Sequence, residues 1–365
     1  MSLNGSGVYS PNTAGQPVVA GTTITDTAFN ALVNDIATAL STAIYKDGQQ
    51  TVTANIPLGG YKITGLGTGT ATTDAAAVQN VNARHMCEGR LTLTTGVPVT
   101  TTDVTAAETL YFTAFRGNCI ALYDGTNWVR RTFSEASIDV PDVTGVHDVF
   151  AYDNAGTVTL EVLVWTNDTT RATALTTQDG VLVKTGDATR RYLGTFYSTT
   201  AGNGQIEDSV ANRYLWNYYN RVVRPMRVLD ATASWTYQTA TIRQANGSTA
   251  NQLNFCVGVS EDSVSSSVKS AYYHNKAAAL LPAVGIGLDA TNAFTAGNSI
   301  SESKCSLDYS GLYEAQCSAE LKCYPGIGKH YLAWNEVVTA SSGGSATFIG
   351  AGTYSKSGIH GELLG

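Results

Sequence analysis

The chain has 365 residues, a net charge of -7 and a pI of about 5.2. Only 14 % of its residues are charged, against about a quarter in an average soluble domain. Arg130-Arg131, Arg190-Arg191 and Arg221 to Arg227 are too short and scattered to form the basic stripe that a nucleic-acid backbone requires, and the first two read as solvated surface.

The first element, residues 1–23, reads as an extended arm. Gly5, Gly7, Pro11, Gly15, Pro17 and Gly21 break any regular structure. Its opening, Met1-Ser2-Leu3-Asn4-Gly5-Ser6, lacks the basic region and apolar core of a secretory leader. Synthesis in a cytoplasm is therefore expected. No apolar run has the length needed to cross a bilayer, so membrane insertion is not expected either.

Residues 24–45 change period. Thr25 or Asp26 can cap a helix, and Phe29, Val33, Ile36, Leu40 and Ala43 then follow at spacings of 4, 3, 4 and 3. That is an a/d seam. A seam of two heptads is too short to hold an isolated coiled coil. It either packs on its own domain or joins two copies of itself in a three-helix bundle.

Residues 46–85 form a Gly- and Thr-rich segment. Asp47-Gly48 and Gly59-Gly60 are turns, with short strands expected at Thr51 to Ile56 and at Tyr61-Lys62-Ile63. A short helix is expected over Thr72 to Val81. One copy has too little apolar area for a core of its own, a shortage that packing around a three-fold axis would relieve.

Residues 86–205 read as an antiparallel β-sandwich-like domain. Cys119 to Tyr123 and Trp128-Val129 flank Asp124-Gly125-Thr126-Asn127. Phe150 to Tyr152 and Val158 to Trp165 flank Asp153-Asn154-Ala155-Gly156. Both are hairpin signals. Residues 206–225 predict a connecting helix, capped by Asp208, with Val210, Tyr214, Tyr218 and Val222 on one face and Pro225 at its end. Residues 226–365 predict a C-terminal β domain whose Gly-rich end at 350–365 lacks a core.

There is no Walker motif, dinucleotide loop, HExxH or nucleophile elbow, and the five histidines are far apart. No cofactor, metal or catalytic residue is assigned, and the chain is not expected to be an enzyme. The six cysteines, including Cys305, Cys317 and Cys323, lack metal-site spacing and are expected as free, mostly buried thiols. Tyr272, Tyr273 and His274, with Tyr331 and Trp334, are candidate platforms for a glycan, because aromatic faces beside polar donors hold sugars; the blander reading, which is favoured, is aromatic packing of strands inside or between subunits.

Asn4 to Tyr9, Gln16 to Ile24, Asn34-Asp35-Ile36-Ala37-Thr38-Ala39-Leu40 and Lys46 to Gly60 together resemble the N-terminal attachment region of phage tail fibres and related virion appendages. The resemblance covers residues 4–82. It implies a mainly β, elongated homotrimer. It also implies that the N-terminal arm meets another virion protein of the tail, an adaptor or the capsid. The C-terminal β domains would then face a host surface glycan or outer-membrane receptor. Two alternatives use the same anchor: a head fibre or capsid decoration protein, and a tail-associated polysaccharide depolymerase.

Overall fold

The computed structural model describes residues 20–41, 55–56, 58–67, 83–200, 202, 204–274, 280–296, 302–304, 315–339, 345–351 and 356–365. The arm at 1–19, Ala43, the expected strand at 51–54 and the expected helix at 72–81 lie outside them. So does Cys305. The chain divides into two compact units, Met1–Leu66 and Gly67–Gly365.

The first unit holds helix α1, Asp26–Ser41. Its start is capped as its residues dictate: the Thr25 hydroxyl accepts the Ala28 amide at 3.2 Å, and Asp26 Oδ1 accepts the Thr27 amide at 2.8 Å. Residues 61–67 carry no regular structure, so the expected strand at Tyr61-Lys62-Ile63 does not form. Gly59 and Gly60 do turn the chain, at φ 55° and 89°.

Among the described residues, the regular structure of the second unit is β strand, apart from short 3-10 turns. The expected hairpins are present. Cys119–Tyr123 pairs with Trp128–Thr132, and Asp124 Oδ1 closes the turn by accepting the Thr126 and Asn127 amides. Gly145–Asn154 pairs with Thr157–Val164 through Ala155 and Gly156, both at positive φ. That is the mirror-image turn that matches strand twist.

One large sheet runs through the unit. In order, it contains Glu302–Lys304, Leu281–Leu288, Gly328–Thr339, Gln252–Val257, Asn212–Arg213, Ile206–Asp208, Asp187–Ser198, Val181–Lys184 and Leu175–Gln178. It thus crosses the boundary drawn at 205–226. A six-stranded sheet carries Val223–Leu229, Gly358–Leu364, Val264–His274, Ala346–Ile349 and Ser234–Tyr237, with Ala315–Cys323 beside Val264–His274. One core cluster draws Phe255, Ile286 and Trp334 from the large sheet and Val268, Phe348 and Ile359 from the six-stranded sheet. The two sheets therefore face each other across that core.

Two expectations are corrected. The connecting helix at 206–225 is absent; the strands Ile206–Asp208, Asn212–Arg213, Leu215–Asn217 and Val223–Leu229 occupy its place. A spacing of four suits one helix face, but it equally suits alternate residues of extended chain. Asp208 is not a cap. It is buried, accepting from Arg213 at 2.9 Å and Arg224 at 2.6 Å. The C-terminal end does own a share of core: Gly358–Leu364 pairs on both sides, burying Ile359 and Leu363.

The arginine pairs are also not mere solvated surface. Arg191 is buried, and its Nη1 donates to the carbonyls of Arg84, Met86 and Ala121. Arg131 pairs with Asp153, and Arg190 with Glu161. Cys87, Cys119, Cys256 and Cys323 are free thiols, as expected. Burial pushes Cys87 up to about 11, which keeps it an unreactive thiol.

Candidate functional site

Three surfaces bear on function, and the first is α1. Phe29, Val33, Ile36 and Leu40 fall on one stripe and are 56 %, 44 %, 39 % and 51 % exposed. Ile24, Ile56, Leu58, Tyr61, Ile63 and Leu66 are exposed as well. Ten of the sixteen exposed large hydrophobics among the described residues thus belong to Met1–Leu66. Scattered exposed apolar side chains are ordinary, whereas a contiguous stripe on a helix marks a surface for association.

The second surface is the expected aromatic platform, and it is not a surface. Tyr272 and Trp334 are fully buried. Trp334 meets Trp235 edge-on at 5.7 Å, Trp235 stacks on Phe348 at 5.8 Å, and Tyr272 lies 6.2 Å from Phe348. These rings join the two sheets, and no sugar can reach their faces. Tyr273 and Tyr331 are half-buried, and the His274 side chain lies outside the described residues. The Tyr331 amide donates to Asp289 Oδ1 at 2.9 Å, so its strand is tied down locally.

The third surface was not anticipated from the sequence. It is the outward face of the six-stranded sheet. Antiparallel pairing sets Arg227, His360, Ser267 and Glu320 in one cross-strand row. Pro225, Glu362, Ser265 and Lys322 form a second row, and Leu229, Gly358, Lys269 and Ser318 a third. Two adjoining depressions lie on this face. One, of about 380 Å³, is lined by Ser265, Ser267, Glu320, Lys322, His360 and Glu362 among others. The other, of about 530 Å³, includes Pro225, Arg227, Leu229, Lys269, Lys356 and Gly358. His360 and Gly361 line both. The signal in the sequence is the alternation Ser265, Ser267, Lys269 against Val264, Ser266, Val268. It marks an outward polar face without saying which strands lie beside it.

The buried charged groups are structural ties. Asp148 accepts from Arg171 Nε at 2.6 Å and from the Thr195 hydroxyl at 2.7 Å, while Arg171 also donates to the Gly258 carbonyl at 2.6 Å. Glu336 accepts from Trp235 Nε1 at 2.8 Å and from Arg243 Nε at 2.9 Å. Burial raises both carboxyls above their ordinary range despite these donors. Each is 1 % exposed or less, so neither can exchange a proton with a bound ligand. Among the described residues, no cluster of His, Cys, Asp and Glu could hold a metal ion.

No known family matches the chain, and no curated protein does. Solved structures give only distant likenesses. The Cry4Aa toxin of Bacillus thuringiensis is 11 % identical over 70 % of this chain and 49 % of its own, with a TM-score of 0.17. The VP2 subviral particle of infectious bursal disease virus is 11 % identical over 62 % and 58 %, with a TM-score of 0.21. A β-porphyranase of glycoside hydrolase family 86 from Bacteroides plebeius is 10 % identical over 69 % and 37 %, with a TM-score of 0.19. The chain spans about half the length of the first of these. Such scores transfer no function. Among the described residues, no helix is long and apolar enough to cross a membrane.

Proposed function

We propose that the chain is a structural protein of a phage virion: a trimeric tail fibre, fixed to the particle by its N-terminal region, whose β unit meets the host surface. The observation that carries this reading is the exposed stripe Phe29, Val33, Ile36 and Leu40 on a 16-residue helix. A helix of that length is marginal alone in water, and its spacing suits copies of itself. The phage-appendage pattern of residues 4–82 supplies the context. Three copies would let weak contacts to a repeated surface ligand reinforce one another.

Microscopy of particles carrying a labelled chain tests placement. Label at the tail supports the fibre reading, and label over the capsid moves the chain to a head fibre or decoration protein. A second reading, polysaccharide depolymerase, is favoured by one feature. Glu320 and Glu362 line the same depression, and Glu362 accepts from the Ser265 hydroxyl at 3.4 Å. Paired carboxylates are what glycoside hydrolysis uses. New reducing ends released from host polysaccharide, and lost in both Glu320→Gln and Glu362→Gln, would establish it. Binding without release would remove it.

A further inference from the structure

We propose that the hollow between Val223–Leu229, Gly358–Leu364 and Val264–His274 binds the anionic group of an acidic saccharide. Arg227, Lys269 and Lys356 line the hollow, and among the described residues no Asp or Glu does. None of the three is in an ion pair among the described residues, although Arg131, Arg171, Lys184, Arg190, Arg213, Arg221, Arg224 and Arg243 all are. A chain of net charge -7 thus gathers three cations outside ion pairs around one hollow, with Glu320 and Glu362 in the depression beside it.

The neighbouring strand sets the floor of the hollow, and apolar side chains wall it. In the row Leu229, Gly358, Lys269 the central position has no side chain. A Cβ there would collide with the Val228 carbonyl, so the neighbouring strand keeps this position glycine. Pro225 and Leu229 give the hollow apolar walls that a pyranose ring can lie against.

The adjoining depression sets the rest of the ligand. It shares His360 and Gly361 with the hollow and presents Ser265, Ser267, Glu320, Lys322 and Glu362. That mixed donor and acceptor set suits hydroxyl groups and discourages a second closely spaced negative charge, because Glu320 and Glu362 would repel it. The pattern fits a polyhydroxylated chain with anions at intervals. A carboxylate on a uronic acid and a phosphate on a sugar offer the same chemistry to Arg227, Lys269 and Lys356.

The assignment names a ligand for the outward-facing role given to the β unit. It is read on the purified chain, so its failure would leave the trimer standing, and a monomeric chain would leave the hollow standing. Calorimetry would compare an oligogalacturonate, a phosphorylated oligosaccharide and a neutral malto-oligosaccharide of matched length, at low and at physiological salt. The expected result is binding of at least one acidic probe, weakened by salt, with at least tenfold weaker binding of the neutral one. Arg227→Gln with Lys269→Gln should weaken the acidic probe by about tenfold or more. Arg116→Gln, at an exposed residue that lines neither depression, should leave it unchanged, and thermal unfolding should report that all variants fold. Preference for uronate or phosphate identifies the source. Failure of both acidic probes, equal binding of the neutral one, or undiminished binding by the double variant would overturn the proposal.

Discussion

Met1–Leu66 and Gly67–Gly365 handle apolar side chains in opposite ways. In the second unit Trp216, Trp334, Tyr272, Phe255 and Phe348 are buried by the chain's own sheets. In the first, Phe29, Tyr61 and Ile63 are 56 %, 84 % and 61 % exposed. A unit that closes its own core is stable by itself, whereas a unit that leaves its apolar stripe in water draws stability from association. The difference separates the folding problem of this chain from its assembly problem, and substitutions should divide along the same line.

The largest effects should fall in the second unit and leave the oligomer mass alone. Asp208→Ala strands the buried Arg213 and Arg224 without their carboxylate and should cost about 3–5 kcal/mol. Urea unfolding of the full chain reads it. Trp334→Ala removes a fully buried ring that meets Trp235 and should cost a similar 3–5 kcal/mol or so. If Trp334 were instead a glycan contact, ligand affinity would fall while the unfolding midpoint stayed put.

Ile36→Asp should do the reverse. Ile36 is 39 % exposed, so the second unit's unfolding should shift by less than about 0.5 kcal/mol. A charge in the seam should nonetheless break association. A variant that unfolds early yet keeps its mass would blur the division between the units.

The smallest effect is one of pH. Burial acts to raise the Glu161 carboxyl, but Lys184 and Arg190, each at 2.6 Å, outweigh it and hold it below its ordinary range. Its folded pKa is depressed, so its contribution is present above the unfolded value of about 4.3 and lost as pH falls through the folded value. Glu161 is partly exposed, which limits the contribution to about 1 kcal/mol or less. Glu161→Gln should flatten the acid limb of the stability curve between pH 5 and 3 or so, and an unchanged limb would remove the pair from the account. Asp148 and Glu336 run the other way: their raised folded values favour the protonated native state, so their contribution falls as pH rises.

Much of the β unit is legible in the sequence where local chemistry decides it. Asp124 to Asn127 and Asp153 to Gly156 announce their turns because the Asp side chains and the glycine act on their own backbone. The segment 206–225 misleads because Val210, Tyr214 and Tyr218 repeat every four residues, a spacing shared by both periods. The aromatic platform misleads because an exposed and a buried tyrosine look alike until the opposite sheet is in place. The hollow was hidden for a different reason. Arg227, Lys269 and Lys356 are far apart in the chain, and only the pairing of Gly358 with both Leu229 and Lys269 brings their strands together.

The most direct test of the account is the mass of the full chain in solution, by light scattering, beside that of Ile36→Asp. The account predicts three times the 38.4 kDa chain mass for the parent and 38.4 kDa for the variant, with the same unfolding midpoint for the β unit. A parent that runs at 38.4 kDa at working concentration would contradict it.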